Sequence, residues 1–220
     1  METTLQDLKS SLARFNSNYK YSKSAFKIEY TKEQLLPILM YNYQTIVAQR
    51  NRNYIETGNE ELKQALEFIT NKKTKCSLLL LGLPGTGKTT ILDALMRSIM
   101  FLYVKEISSG KMSVFCVKAS ELGNIMKHDF ERFDKIKRCT VLFIDDIGFG
   151  GECEVVNDYG VKRKPIEEII EKRYDLMLTT ICTSNLTAAQ IGQRYGQRID
   201  SRIAEMFEVI AFKGQDFRRL

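Results

Sequence analysis

The chain has 220 residues and a mass of 25.4 kDa, which suits one domain of middling size with a short appendage. With 44% hydrophobic and 27% charged residues it is no disordered, collagen-like or disulfide-framework chain. Basic residues outnumber acidic ones by 33 to 27, and the stretch before Cys76 holds 12 basic against 8 acidic, so most of the +6 excess sits toward the N-terminus.

The opening METTLQDLKS puts acidic and polar residues where an export signal needs an apolar core. No apolar run approaches the roughly 18 residues of a membrane span. Five cysteines, an odd number without a CxxC pair, read as reduced thiols, mostly core, so the expected location is the cytoplasm. Leu5, Leu8 and Leu12 are spaced as one helix face, and a longer helical pattern runs from Thr31 through Leu35, Leu39, Tyr43 and Ile46. Between them Arg14 to Lys27 is polar, basic and aromatic, as a loop or hinge would be. A third helix is expected from Glu60 to Ile69 after the break Thr57-Gly58-Asn59. This reading divides the chain into a helical N-terminal segment, residues 1–50, and a core, residues 51–220.

From Cys76 onward strands alternate with helices. Cys76–Leu81, Ser113–Ala119, Cys139–Ile144, Thr179–Thr183 and Phe207–Phe212 are short apolar runs suited to buried strands. Lys88–Tyr103, Glu121–Phe133, Lys164–Leu176 and Thr187–Met206 read as the helices between them. That order implies an α/β fold, with a five-stranded, mainly parallel sheet covered by helices on both faces.

Gly82 to Thr89 reads GLPGTGKT and fits G-x-x-x-x-G-K-[ST] in full, directly after an expected strand and opening an expected helix. In such a loop the glycines let backbone N–H groups point at a phosphate chain, and the helix N-terminus adds positive dipole. The candidate nucleotide contacts are Gly82, Leu83, Pro84, Gly85, Thr86, Gly87, Lys88, Thr89 and the following Thr90. Lys88 would reach the β- and γ-phosphates of ATP, and the Thr89 hydroxyl would ligate Mg²⁺.

The strand VLFIDDIG ends in two carboxylates, and in a doubly wound sheet ligands bind at the carboxyl ends of the strands, so both would face the phosphate loop. Asp145 is the expected Mg²⁺ ligand, directly or through water, and Asp146 the residue that polarises the attacking water. On TTICTSNLT, Asn185 either orients that water or is a turn residue before a helix that Thr187 and Gln190 begin with a capping box. Arg198 and Arg202 lie four apart on one helical face. Spacing alone reads them as an exposed helix with local pairs such as Arg202 and Glu205. His128, the only histidine, is given no role.

Taken in order, GLPGTGKT, SVFCVKASELGNIM, VLFIDDIG, TTICTSNLT, YGQRIDSR and the terminal FKGQDFR resemble the AAA+ helicase-loader and transposition-helper ATPases of the DnaC/IstB type. The likeness runs from Asn53 to Leu220. It implies that Lys88 and Thr89 are Walker A residues, Asp145 and Asp146 Walker B, and Asn185 sensor 1. Arg202 would be an arginine finger acting on a neighbour in a homo-oligomer, and Arg218 would stand where a sensor-2-like arginine is found. Because the chain ends with that arginine motif, no C-terminal lid is expected. Asp146 stands where many AAA+ proteins have Glu.

The resemblance also implies DNA and a replicative helicase or a transposase as partners. The first 50 residues match nothing nameable. There, Lys9, Arg14, Lys20, Lys23 and Lys27 are interleaved with Phe15, Tyr19, Tyr21 and Phe26, and either track phosphates and stack bases or form a solvated helix face. Against the ATPase reading stand a non-hydrolysing adaptor switched by ATP and a small-molecule kinase. The kinase would want a substrate insert and a lid, neither of which is evident between Asp93 and Leu176.

Overall fold

The computed structural model describes residues 6, 9–11, 25–50, 59–149, 155–158, 160–213 and 216. The helix face expected at Leu5, Leu8 and Leu12, most of the basic and aromatic stretch, Cys153 and Arg218 lie outside the described residues.

All five expected strands form one parallel sheet: β1 (Ser77–Gly82), β2 (Val114–Lys118), β3 (Val141–Ile147), β6 (Thr179–Ser184) and β7 (Phe207–Phe212), in the order β2-β3-β6-β1-β7. Alternate residues of β1 serve opposite faces, as a pleated strand requires. Leu78 and Leu80 join a core with Val141, Phe143, Ile181 and Ile210, while Leu79 and Leu81 join another with Leu142, Ile144 and Cys182. The first core is closed by α1 (Lys32–Gln49), α2 (Asn59–Thr70) and α3 (Lys88–Leu102), with the short α4 (Val104–Ser108) beyond it. The second is closed by α5 (Leu122–His128), α6 (Phe130–Arg138), α7 (Pro165–Asp175) and α8 (Ala188–Met206). Among the described residues no helix is long and apolar enough to cross a membrane.

Three expectations need correction. The helix read as Glu121–Phe133 is two, broken at Asp129, whose backbone turns to φ −144° and whose carboxylate caps α6 by accepting from Arg132 N–H. The helix read as Thr187–Met206 starts on the expected capping box but kinks at Gly196, where φ is 82°. An antiparallel hairpin of β4 (Val156–Asp158) and β5 (Val161–Arg163) went unread between β3 and α7, because three-residue strands carry no usable periodicity. On the N-terminal side of residue 50, Leu35, Leu39 and Ile46 of α1 are buried in the same core as Leu92, Leu95 and Ile99 of α3.

Phe26 and Lys27 are anchors rather than nucleic-acid contacts. The Phe26 ring meets Tyr103 edge-on at 5.3 Å. The Lys27 ammonium donates to Phe68 O at 2.8 Å, Thr74 Oγ1 at 2.8 Å and Lys75 O at 2.9 Å, and lies 3.6 Å from the centre of the Phe68 ring. Burial lowers its pKa from 10.5 to about 8. Between those values the unfolded chain keeps the proton and the folded chain has released it, so this group's contribution to stability rises with pH across that window. Chemical unfolding from pH 7 to 11 should therefore show the wild type gaining stability relative to Lys27→Met above about pH 8. A difference between the two chains that stays constant with pH would contradict this.

Among the described residues one cation is fully enclosed. Arg173 of α7 has no exposed surface and donates to Thr180 Oγ1 at 2.7 Å, Thr179 O at 2.5 Å and Cys139 O at 2.9 Å. It ties α7 to the start of β6 and to the turn before β3, and its buried donors find carbonyl and hydroxyl partners there.

Candidate nucleotide site

The strand ends and the first turn of α3 bring the expected residues together. The loop after β1 carries Gly85 at φ +81°, and a Cβ there would lie 1.6 Å from Asp216 Oδ1, so backbone freedom and space both require glycine. Lys88 is 6% exposed; its ammonium folds back to donate to Gly82 O at 2.7 Å, Leu83 O at 2.8 Å and Asn185 Oδ1 at 2.8 Å. Asn185 in turn donates from Nδ2 to Asp146 Oδ1 at 2.7 Å. One amide thus spans the phosphate-loop lysine and the second strand-end carboxylate, from a bend that leads into the capping box of α8.

A second chain of bonds runs beside the first. Asp145 Oδ1 accepts from Thr89 Oγ1 at 2.9 Å and from Thr183 Oγ1 at 2.7 Å, and Thr183 Oγ1 accepts from Asp146 N–H at 2.7 Å. The pairing of β3 with β6 shifts register between Ile144 and Ile147, and Asp146 takes φ +63° there. A bulge of this kind re-aims side chains, and a left-handed non-glycine residue persists only where its surroundings hold it. Thr183 was not singled out from sequence. Its position one residue before the end of a fully buried strand, level with the acid pair, is the signal that marks it.

A cavity of about 260 Å³ opens beside the acid pair, lined by Lys118, Ser120, Asp145, Asp146 and Phe149. Lys118 ends β2 directly opposite Asp145 in the strand register, which puts a cation within the same recess. On the other side of the loop, Arg50, just past α1, donates to Thr90 Oγ1 at 2.8 Å and Asp93 Oδ2 at 2.9 Å. Thr90 is therefore held by the N-terminal helix. Arg202 stands apart from this cluster and pairs with Glu171, not with Glu205. Arg218 lies outside the described residues.

The donor set suits ATP with Mg²⁺. Backbone N–H groups at the N-terminus of α3 and the Lys88 ammonium match a polyphosphate. The Thr89 hydroxyl and the Asp145 carboxylate, 2.9 Å apart, are the hard oxygen ligands a small divalent cation takes.

A parallel sheet with a phosphate loop on one strand and an acid pair on the strand two places away defines a phosphate-loop nucleotide-binding protein. The profile of AAA, the ATPase family associated with various cellular activities, matches residues 78–205, more than half of the chain, and the chain belongs to that family. It is 27% identical over 139 residues to the chaperone protein ClpB of Blochmanniella floridana, a stretch covering 60% of this chain but 16% of ClpB. The crystal structure of DnaI is similar at 25% identity and a TM-score of 0.52, covering 74% of this chain and 88% of that one. Domain III of the replication initiation protein DnaA of Thermotoga maritima shares the fold at 17% identity, with a TM-score of 0.54 over 80% of this chain and 68% of that one. The likeness to DnaI agrees with the DnaC/IstB type that the ordered motifs resemble.

Proposed function

We propose that this chain binds and hydrolyses ATP with Mg²⁺, and that it acts on DNA as an ATP-dependent homo-oligomer that loads a replicative helicase or assists a transposase. The hydrolytic part rests on the continuous path Lys88–Asn185–Asp146, which links the group that holds a phosphate to the group that would activate water. In this reading Lys88 leaves its carbonyl partners for the β- and γ-phosphates. Thr89 and Asp145 hold the metal, which offsets phosphate charge when bound. Asp146 accepts from the attacking water, Asn185 fixes its orientation, and a neighbour's Arg202 approaches the developing charge. The DNA part rests on the likeness to DnaI and on the basic excess before Cys76. Lys9, Arg14, Lys20 and Lys23, before Ala25, are the basic candidates to contact DNA or a partner, since Lys27 is bound within the fold.

Two measurements test this on the full chain. Calorimetry should show ATP binding to the wild type and little or none to folded Lys88→Ala. Fluorescence anisotropy should show tighter binding of single-stranded DNA with a non-hydrolysable ATP analogue than without it, since assembly aligns weak basic patches. That affinity should fall steeply between about 50 and 200 mM salt. Equal ATP affinity of the two chains would remove the assigned site, and DNA binding indifferent to nucleotide would remove the DNA role.

A further inference from the structure

Most of the Arg202 side chain is withdrawn from solvent. Its Nη1 lies 2.9 Å from Glu171 Oε1, and Arg198 Nε lies 3.1 Å from the same oxygen. The Arg202 guanidinium carbon is 5.1 Å from the centre of the Tyr174 ring, and the Tyr174 hydroxyl donates to Glu205 Oε2 at 2.6 Å. Glu171 and Tyr174 are neighbours on α7, the helix that buried Arg173 anchors to β6. The acceptor carboxylate therefore sits on a fixed element and cannot follow the arginine outward. The two arginines differ sharply in exposure: the Arg202 side chain is 15% exposed and that of Arg198 is 73% exposed. Both lie beyond the kink at Gly196, on a single helical run.

We propose that Glu171 is a positioning residue that withholds Arg202 in the isolated protomer and releases it when a second copy presents a nucleotide phosphate; this rests on the trans-arginine reading above. Two observations and one point of chemistry carry it. Seated between Glu171 and Tyr174, the guanidinium is mostly withdrawn from solvent and engaged within its own protomer. Its buried Nη1 meets the carboxylate off the hydrogen-bonding direction, so the contact is one of charge and is readily exchanged. A phosphate offers more negative charge and more acceptor oxygens than one carboxylate, and it draws the guanidinium away.

Arg198 makes the exchange cheap. It already touches Oε1, so Glu171 keeps a counter-ion after Arg202 departs and no part-buried carboxylate is left alone. Glu171 and Arg198 thus act in opposite senses on the same event, although they form one ion cluster.

The test is steady-state ATP turnover of the full chain over a protein dilution series, read as the concentration for half-maximal turnover separately from the plateau. Glu171→Gln should lower that concentration by about two- to fivefold, the range of a part-exposed ion pair. Arg198→Ala, at an exposed site that does not threaten folding, should raise it. The double variant should follow Glu171→Gln, because Arg198 has no task once the carboxylate is gone. Shifts of the same sign in both single variants, no shift in either, or a plateau lowered by Glu171→Gln would overturn the proposal. Arg202→Ala separates the two levels. If it keeps the wild-type turnover and concentration dependence, the trans-arginine reading fails and Glu171's role fails with it. If it is inactive while the other variants behave as wild type, only the withholding role is wrong.

Discussion

Asp146→Asn is expected to bind ATP as the wild type does and to hydrolyse it about 10²- to 10⁴-fold more slowly, the usual worth of a positioned general base. The substitution is unusually clean at this position. Asp146 sits at φ +63°, a region that asparagine enters as readily as aspartate, so the backbone bulge is kept. Its Oδ1 accepts from Asn185 Nδ2, and an amide oxygen can accept the same bond. The Asp146 N–H still reaches Thr183 Oγ1, and the Thr89–Asp145 pair is untouched. What is removed is the negative charge. Single-turnover hydrolysis measured beside calorimetric ATP affinity tests this directly. Wild-type turnover in the variant would reduce Asp146 to a bulge residue and favour an adaptor that uses ATP as a switch.

A chain beginning at Asn51 is expected to lose the fold altogether, whereas one beginning at Ala25 should keep it. Deleting the first 50 residues removes Ile28, Leu35, Leu39 and Ile46, each no more than 2% exposed, from the core they share with α3. At about 1.5–3 kcal/mol for each buried side chain, the loss is roughly 6–12 kcal/mol, comparable with the whole stability of a domain. It also frees Thr90 and Asp93 from Arg50, and Ser98 Oγ from Asn42, so the helix that opens the phosphate loop loses its outer support. Circular dichroism and thermal melting of the two truncated chains decide the matter. A cooperative melt and ATP binding by the Asn51 chain would instead support a boundary near residue 50.

Much of the site was legible because its signals are local. Lys88 and Thr89 follow from an eight-residue pattern, and Thr187 with Gln190 from a capping box that spans one turn. The acid pair is visible as polar residues abruptly ending an apolar strand. Asn185 was half-legible: its chain position fits a turn as well as a site, and only its bonds to Lys88 at the start of α3 and to Asp146 near the end of β3 distinguish them. Thr183 escaped because a threonine inside a buried strand looks like any β-branched core residue until the bulge in β3 brings Asp146 N–H onto it.

The sequence by itself determined the five strands, their alternation with helices and the phosphate loop, since strand and helix periods and glycine placement act within a few residues of chain. Only the tertiary structure decided the rest. It committed α1 to the core, took Lys27 out of the basic stretch to cap Phe68, and aimed Arg202 at Glu171 rather than Glu205. In each case the partner lies far along the chain, and side chains such as Leu35, Lys27 and Arg202 are compatible with either a solvated or a packed setting. Which one they adopt is fixed by what the assembled sheet brings within a few ångströms of them, and that information is absent from their own neighbourhood in the sequence.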